Sequence, residues 1–153
     1  EMCDSDWSSD VCSSDLYNFG PKFYGYVEYH FNSAGKSDPD EYVNIELTPD
    51  DHTAYSEGSV YLRGQQYGAI GGTYQLSPLI PVNGMILMNL NDLSAHLSLN
   101  FDYNFTENVY ISGGGIVGLG SPPELDGGGN LISYKSEFGS APNLYYLAVK
   151  LYF

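Results

Sequence analysis

The sequence predicts an all-β fold, in which about six strands form an antiparallel up-and-down meander. Six stretches of the 153-residue chain alternate apolar and polar residues, which is the period of a strand whose successive side chains point to opposite sides. Turn-forming residues separate some of these stretches, at 77–81, 91–94 and 106–108. No apolar run approaches the ~20 residues of a membrane-spanning helix.

The first three strands are predicted at 22–31, 67–76 and 82–91. The polar side of the first strand carries Tyr24, Tyr26, Glu28 and His30. The second strand is rich in glycine, which weakens a strand interior, but Ile70 and Tyr74 still share its apolar side. In the third strand Ile86 and Met88 share a face opposite Asn89.

The last three strands are predicted at 94–105, 109–119 and 143–153. The fourth alternates strictly over twelve residues, which is a strong strand signal, and its polar side carries His96, Ser98, Asn100 and Asp102. The sixth strand places Leu147, Val149 and Phe153 on one face and Lys150 on the other. Its length is about the 9–11 residues that a tilted strand needs to cross a bilayer.

The first sixteen residues look foreign to the rest of the chain. The run from Asp6 to Leu16 resembles the translation of a common sequencing-library adapter, and Glu1 to Ser5 fits the neighbouring primer bases. We therefore expect residues 1–16 to be a non-native segment and exclude them from fold reasoning. The alternative is a natural Ser/Asp-rich linker.

This exclusion changes what composition implies. Cys3 and Cys12 both lie in the excluded segment, so their spacing is not read as a disulfide or a metal site. Without its five acidic residues the remainder carries 14 acidic and 5 basic side chains, a net charge of −9. An acidic balance argues against a nucleic-acid partner.

The aromatic-terminated last strand, ending at Tyr152 and Phe153, resembles the final strand of Gram-negative outer-membrane β-barrels. The resemblance implies that these two residues serve recognition by the barrel-assembly machinery. It also implies that residues 17–153 are the C-terminal portion of a transmembrane β-barrel in the bacterial outer membrane, in contact with lipid and lipopolysaccharide. The smallest such barrels have about eight strands, so six strands would form only part of one.

Connection lengths agree with this resemblance. With the C-terminus in the periplasm, the long segments 32–61 and 121–142 lie outside, and the turns at 77–81 and 106–108 lie on the periplasmic side. Short periplasmic turns and long external loops are typical of these barrels.

The function expected from the resemblance is passive diffusion of small polar solutes through a porin-like channel, without catalysis, cofactor or metal. The polar faces would line the lumen and set its selectivity. The candidate lumen residues are Tyr24, Tyr26, Glu28, His30, Asn89, His96, Asn100, Asp102 and Lys150.

Three alternatives remain open. A soluble β-sandwich would also show alternation, although its outer faces usually carry more Lys and Glu than these do. A non-conducting barrel for adhesion or surface anchoring would have a plugged interior and use its long loops. The run His96-Leu97-Ser98 resembles the His-x-Ser pair that outer-membrane phospholipase A and lipid A deacylases carry on one strand. That resemblance implies a membrane-lipid hydrolase with His96 as base and Ser98 as nucleophile. That pair, however, lies opposite the apolar row.

Two further patterns are weaker. Gly113, Gly115 and Gly118 satisfy G-x-G-x-x-G, but no helix follows, so dinucleotide binding is not expected. The segment 32–61 is a candidate for binding divalent cations, because hard oxygen ligands suit Ca²⁺ and Mg²⁺. Its acidic residues are Asp38, Asp40, Glu41, Glu46, Asp50, Asp51 and Glu57.

Overall fold

The computed structural model describes residues 11–47 and 61–152, and the side chains of 13–43 and 61–152. Seven strands form one sheet and follow each other in chain order, with every neighbouring pair antiparallel. They are β1 (Val11–Asn18), β2 (Phe23–Phe31), β3 (Gln66–Ser77), β4 (Ile80–Asn89), β5 (Ala95–Thr106), β6 (Val109–Leu119) and β9 (Leu144–Leu151). The all-β antiparallel meander expected from the sequence is confirmed.

The long connections contain short elements of their own. A 3₁₀ segment spans Pro39–Leu47 between β2 and β3. Between β6 and β9, β7 (Glu124–Leu125) and β8 (Leu131–Ser133) form a small separate hairpin, followed by one 3₁₀ turn at Phe138–Ser140. The sequence pattern predicts both connections as irregular loops, so the β7–β8 hairpin and the two 3₁₀ segments were not expected.

The main sheet has seven strands in the described part of the chain, where the sequence predicted about six. The additional strand is β1, which pairs with β2 from Val11↔Phe31 to Asn18↔Tyr24 and lies mostly in the segment excluded as adapter-like. Strand pairing is made by backbone groups, so a segment without an amphipathic pattern can still add to an open edge. The other six strands lie within two residues of their predicted bounds, and β6 has those bounds unchanged.

The sheet is not closed into a barrel. Within the described residues, β1 and β9 each pair with a single neighbour. Since neighbours alternate in direction, β1 and β9 run the same way. A direct junction between them would therefore be parallel.

The register gathers most of the apolar residues of strands β2 to β6 and β9 on one face. The pairs Val27↔Ile70, Ile70↔Ile86, Ile86↔Leu97 and Leu97↔Val117 run across five strands. Directly paired residues point to the same side of a sheet. We call this side the apolar face and the opposite side the polar face.

Glycines in β3 and β6 make room for side chains of neighbouring strands. A Cβ at Gly71 would lie 2.5 Å from the Tyr26 ring, and one at Gly113 would lie 2.6 Å from the Phe101 ring. These contacts explain the glycine runs that made the second predicted strand look weak.

The apolar face is uncovered. Leu97 and Phe101 are each 38% exposed, Leu99 is 56% exposed and Leu147 is 73% exposed. No second sheet or helix packs on this face among residues 11–47 and 61–152, so the second layer of a β-sandwich is not found there. In the same part of the chain, no helix is long and apolar enough to span a membrane.

Candidate functional site

Most buried side chains of the described residues lie at one end of the polar face, where the two long connections fold over the sheet. We call this group the loop cluster, and it consists of Tyr42, Arg63, Tyr67, Asn89, Asp92, Ser94, Glu137 and Phe138. Tyr42, Tyr67 and Asn89 are completely buried. The chain thus has its best-packed region on its polar side, not under its apolar residues.

Glu137 joins three separate parts of the chain through its carboxylate. The Tyr67 hydroxyl donates to one oxygen at 2.5 Å, and the Asn89 side-chain amide donates to the same oxygen at 2.8 Å. The Arg63 backbone N–H donates to the other oxygen at 2.7 Å. Hydrogen bonds to an ionised acceptor are about twice as strong as neutral ones, so Glu137 anchors the 120–143 connection to β3 and β4.

Asn89 links the other long connection to the same point. Its side-chain amide also donates to the Tyr42 hydroxyl at 2.9 Å, and Tyr42 belongs to the 32–65 connection. The Arg63 guanidinium donates to the Tyr42 carbonyl at 2.9 Å and lies 4.6 Å from the centre of the Tyr134 ring. Arg63 therefore fixes the two long connections to each other.

The tight connection between β4 and β5 forms the floor of the loop cluster. Asp92 accepts hydrogen bonds from the backbone N–H of Ser94 at 2.8 Å and of Glu137 at 2.7 Å. Leu93 has a positive φ of 58°, which few residues other than Gly, Asn and Asp adopt. The Asp92 carboxylate therefore stabilises this turn and also binds the 120–143 connection.

Phe138 supplies the apolar part of the contact. Its ring stacks on His96 with centroids 5.6 Å apart and meets Tyr67 edge-on at 6.4 Å. The Phe138 backbone N–H donates to the Ser94 hydroxyl at 3.2 Å. Burial of this ring adds to the polar contacts that hold the connection on the sheet.

Burial alters the acid–base behaviour of the loop cluster. It raises the pKa of the Tyr42 hydroxyl above its usual value of 10.0, and the nearby Asp92 and Glu137 carboxylates raise it further. On the exposed β7–β8 hairpin, hydrogen bonds from the Asn130 side chain and backbone lower the pKa of Asp126. The loop cluster therefore favours the neutral form of Tyr42.

The register places all nine candidate lumen residues on the polar face, but it does not bring them into one site. Asn89 and His96 lie in or beside the loop cluster, and the His30 ring lies 6.3 Å from the Tyr67 ring. Asn100 accepts a hydrogen bond from Tyr146, and Asp102 accepts one from Ser112. Tyr24, Tyr26, Glu28 and Lys150 lie beyond the area that the loops cover.

The His96–Ser98 pair also lies on the polar face. His96 pairs with Leu87 and Ser98 with Met85, and these two β4 residues point away from the apolar face, to which Ile86 between them belongs. A lipid hydrolase would need the pair on the apolar face, beside its substrate. The stacking of His96 on Phe138 gives the imidazole a packing role instead.

Two other groups of candidates are only partly described. Tyr152 packs edge-on against Tyr110 at 5.4 Å, whereas Phe153 lies outside the described residues. In the acidic segment, Asp50, Asp51 and Glu57 lie outside the described residues, as does the Glu46 side chain. In the described part of the chain, no three acidic, His or Cys side chains are grouped as a metal site would require.

Sequence reasoning missed most of the loop cluster. Tyr42, Arg63, Asp92 and Glu137 are isolated polar residues in irregular segments, and no local pattern predicts which strand they contact. Tyr67 had a usable signal, because its position in the second strand places it opposite Ile70 and Tyr74.

No protein family, curated protein or solved structure shows significant similarity to this chain.

Proposed function

We propose that this chain is part of an outer-membrane β-barrel whose polar face lines an aqueous interior through which small polar solutes diffuse. The observation that carries the proposal is the continuous, exposed apolar face of the long strands. Large apolar surfaces left open on a folded protein mark contact with lipid or with another protein. In a transmembrane barrel, apolar residues face lipid and polar residues face the interior in strict alternation.

The distribution of burial supports the same proposal. A soluble sheet buries its apolar side and leaves its polar side in water, whereas this sheet buries polar residues under its loops and leaves its apolar residues uncovered. Lipid surroundings make that arrangement favourable, since the apolar side chains then meet hydrocarbon. Both long connections lie at one end of the sheet, together with the short β4–β5 connection, and the β3–β4 and β5–β6 turns lie at the other end, an arrangement compatible with outer-membrane barrels.

Transport would depend on the uncovered half of the polar face. Glu28, Asp102 and Lys150 are exposed charged residues there and would bias the passage of ions and polar solutes. The loop cluster would narrow the other half, so solutes would pass beside it.

Cysteine labelling of adjacent residues tests the membrane placement. In a chain with Cys3→Ser and Cys12→Ser, Leu99→Cys and Asn100→Cys place a single thiol on the apolar and the polar face respectively. After reconstitution in liposomes, a fluorophore at residue 99 should be quenched by brominated lipid, and one at residue 100 should not. Equal responses at the two positions would contradict the proposal.

Conductance tests transport separately. Glu28→Gln, Asp102→Asn and Lys150→Gln should each change ion selectivity in planar bilayers, whereas Glu124→Gln on the exposed β7–β8 hairpin should not. Unchanged ion selectivity in all three variants would contradict the proposed channel function, but it would not contradict the membrane placement.

A second candidate function is a non-conducting barrel that anchors surface loops. The inward folding of both long connections over the polar face favours it, because such loops obstruct the interior. Membrane placement without measurable conductance, together with lost adhesion after changes in the β7–β8 hairpin, would support this alternative over the channel.

A further inference from the structure

The outer edge of β2 accepts a strand that does not match it. β1 pairs with β2 over eight consecutive residues, yet two of its central side chains do not match the faces on which they lie. Asp15 lies on the apolar face opposite Val27, and Leu16 lies on the polar face opposite Tyr26, 61% exposed. Backbone hydrogen bonds therefore hold β1 in place without the side-chain pairing that selects a specific neighbour.

The apolar face is also poorly filled beside β1. A hollow of about 250 Å³ opens there, and Phe19, Phe23, Gly25, Val27 and Ile70 line much of it. Asp15 lies at this hollow, where a charged side chain gains nothing from apolar walls. A strand with a large apolar residue at the position of Asp15 would fill the hollow and complete the face.

We propose that the edge of β2 is a strand-acceptor site and that its occupant is β9 of a second copy of this chain. The inference rests on the proposed membrane barrel, since both strands must keep their apolar residues toward lipid. In this arrangement the β2 edge of each copy pairs with the β9 edge of the other copy.

Direction and number agree with this pairing. β9 runs the same way as β1, so β9 of a second copy in the same membrane orientation is antiparallel to β2. With β1 displaced, the described part of each copy contributes six strands, and these twelve strands can close with antiparallel neighbours throughout. If β1 stayed, each junction would join two strands of the same direction. A head-to-tail interface that repeats after a twofold rotation closes a ring.

Length and side-chain pattern agree as well. β9 has eight residues, as β1 does, and it alternates where β1 does not. When the strand middles are aligned, Leu147 lies opposite Val27 on the apolar face and Ala148 lies opposite Tyr26 on the polar face. Lys150 and Glu28 bring opposite charges to the same polar face.

Cysteine cross-linking in the full chain tests the pairing. In the Cys3→Ser, Cys12→Ser background, Tyr26→Cys marks β2 and Ala148→Cys marks β9. When the two variants are reconstituted together and oxidised, a species of twice the chain mass should form, and neither variant alone should form it. Ser98→Cys is the matched control for Tyr26→Cys, because it lies on the polar face of β5, which already has two neighbours, so it should give no cross-link with Ala148→Cys.

Competition with β1 supplies a second measurement. Adjacent N–H groups of a strand point to opposite sides, so Ser13→Pro with Ser14→Pro removes at least one hydrogen-bond donor that faces β2. These prolines should raise the cross-linked fraction severalfold.

Three outcomes would overturn the pairing. The first is that Tyr26→Cys and Ala148→Cys give no cross-link, with or without the prolines. The second is a cross-link between two copies of Ala148→Cys. The third is a cross-link of Ala148→Cys to Ser98→Cys that is as strong as the one to Tyr26→Cys. The quenching of residue 99 by brominated lipid is independent of all three. Failure of the pairing with quenching intact therefore leaves the membrane proposal standing, and cross-linking without quenching would indicate an edge-paired assembly outside lipid.

Discussion

At the scale of single residues, Glu137 has the largest effect on how the long connections are placed. Its carboxylate accepts hydrogen bonds from β3, β4 and the 32–65 connection. Each donor would have to find water or another acceptor if the carboxylate were lost. A buried donor left unpaired costs about 1–3 kcal/mol, so the Glu137 carboxylate contributes strongly to holding the 120–143 connection on the polar face.

The first prediction is that Glu137→Gln releases the 120–143 connection. The amide nitrogen of Gln cannot accept, so at least one of the three donors loses its partner, and stability should fall by about 1–3 kcal/mol. Limited proteolysis within 121–136 should become clearly faster than in the unmodified chain. Glu124→Gln is the control, because its exposed ion pair with Lys135 should contribute ~1 kcal/mol at most. Equal proteolysis of the two variants would contradict this role of Glu137.

The second prediction concerns pH and follows from Tyr42. Its folded-state pKa is raised above 10.0, so its contribution to stability is complete below pH 10 and is lost as the pH rises toward the folded-state value. The connections should therefore loosen between about pH 10 and the raised pKa, measured as faster proteolysis. Tyr42→Phe cannot ionise, so it should be less stable at neutral pH but should lose less on the same titration. An identical alkaline profile for both chains would assign the effect to another group.

At the scale of elements, close packing of the 120–143 connection on β6 depends on residues without side chains. A Cβ at Gly118 would collide with the Phe138 carbonyl oxygen, and one at Gly120 would collide with the Ser136 hydroxyl. The collision at Gly118 involves backbone, which cannot turn away as a side-chain tip can. Glycine therefore lets the connection lie directly on the strand end.

The third prediction is that Gly118→Ala displaces the connection at a cost of about 1–3 kcal/mol, the usual cost of overpacking a well-packed site. The matched control is Gly84→Ala in β4, where the nearest atom to the added Cβ would be 3.6 Å away in the Leu99 side chain. That variant should be neutral or slightly stabilised. Thermal unfolding of both variants measures the difference, and equal stability would refute the close approach at Gly118.

The elements also show what the sequence could and could not predict. The long strands were predictable because alternation repeats over many residues, and even glycine-rich β3 kept Ile70 and Tyr74 on one side. The pairing of β1 with β2 was not predictable, because it follows from an open backbone edge and not from the side chains of β1. The loop cluster was not predictable either, because contacts such as Glu137 to Tyr67 join residues 70 positions apart.

At the scale of the whole molecule, the main question is what covers the apolar face. The uncovered side chains of β5 and β9 alone include Leu97, Leu99, Phe101 and Leu147. Left in water, such a surface would drive aggregation. A lipid bilayer would cover it without another protein layer, and the polar face would then need only water and its own loops.

The last prediction separates lipid from a protein partner by placing the same charge on adjacent residues. Leu99 and Asn100 lie near the middle of β5 and point to opposite faces. In a membrane barrel, Leu99→Lys should cost about 2–4 kcal/mol near the bilayer midplane, whereas a charge in an aqueous interior mainly affects selectivity. Folding into liposomes, followed by the mobility difference between heated and unheated samples, should therefore be impaired in Leu99→Lys and nearly normal in Asn100→Lys.

The face and the depth at which lysine impairs folding distinguish a lipid environment from a covering protein layer. A membrane barrel predicts greater damage on the side of Leu99 and predicts that the damage decreases when the lysine is moved toward a strand end, for example in Phe105→Lys, because the cost falls near the interface. A protein layer over the same face would bury all apolar positions alike and show no such dependence on depth. Equal loss for Leu99→Lys and Phe105→Lys would thus identify a second protein surface as the cover and exclude hydrocarbon.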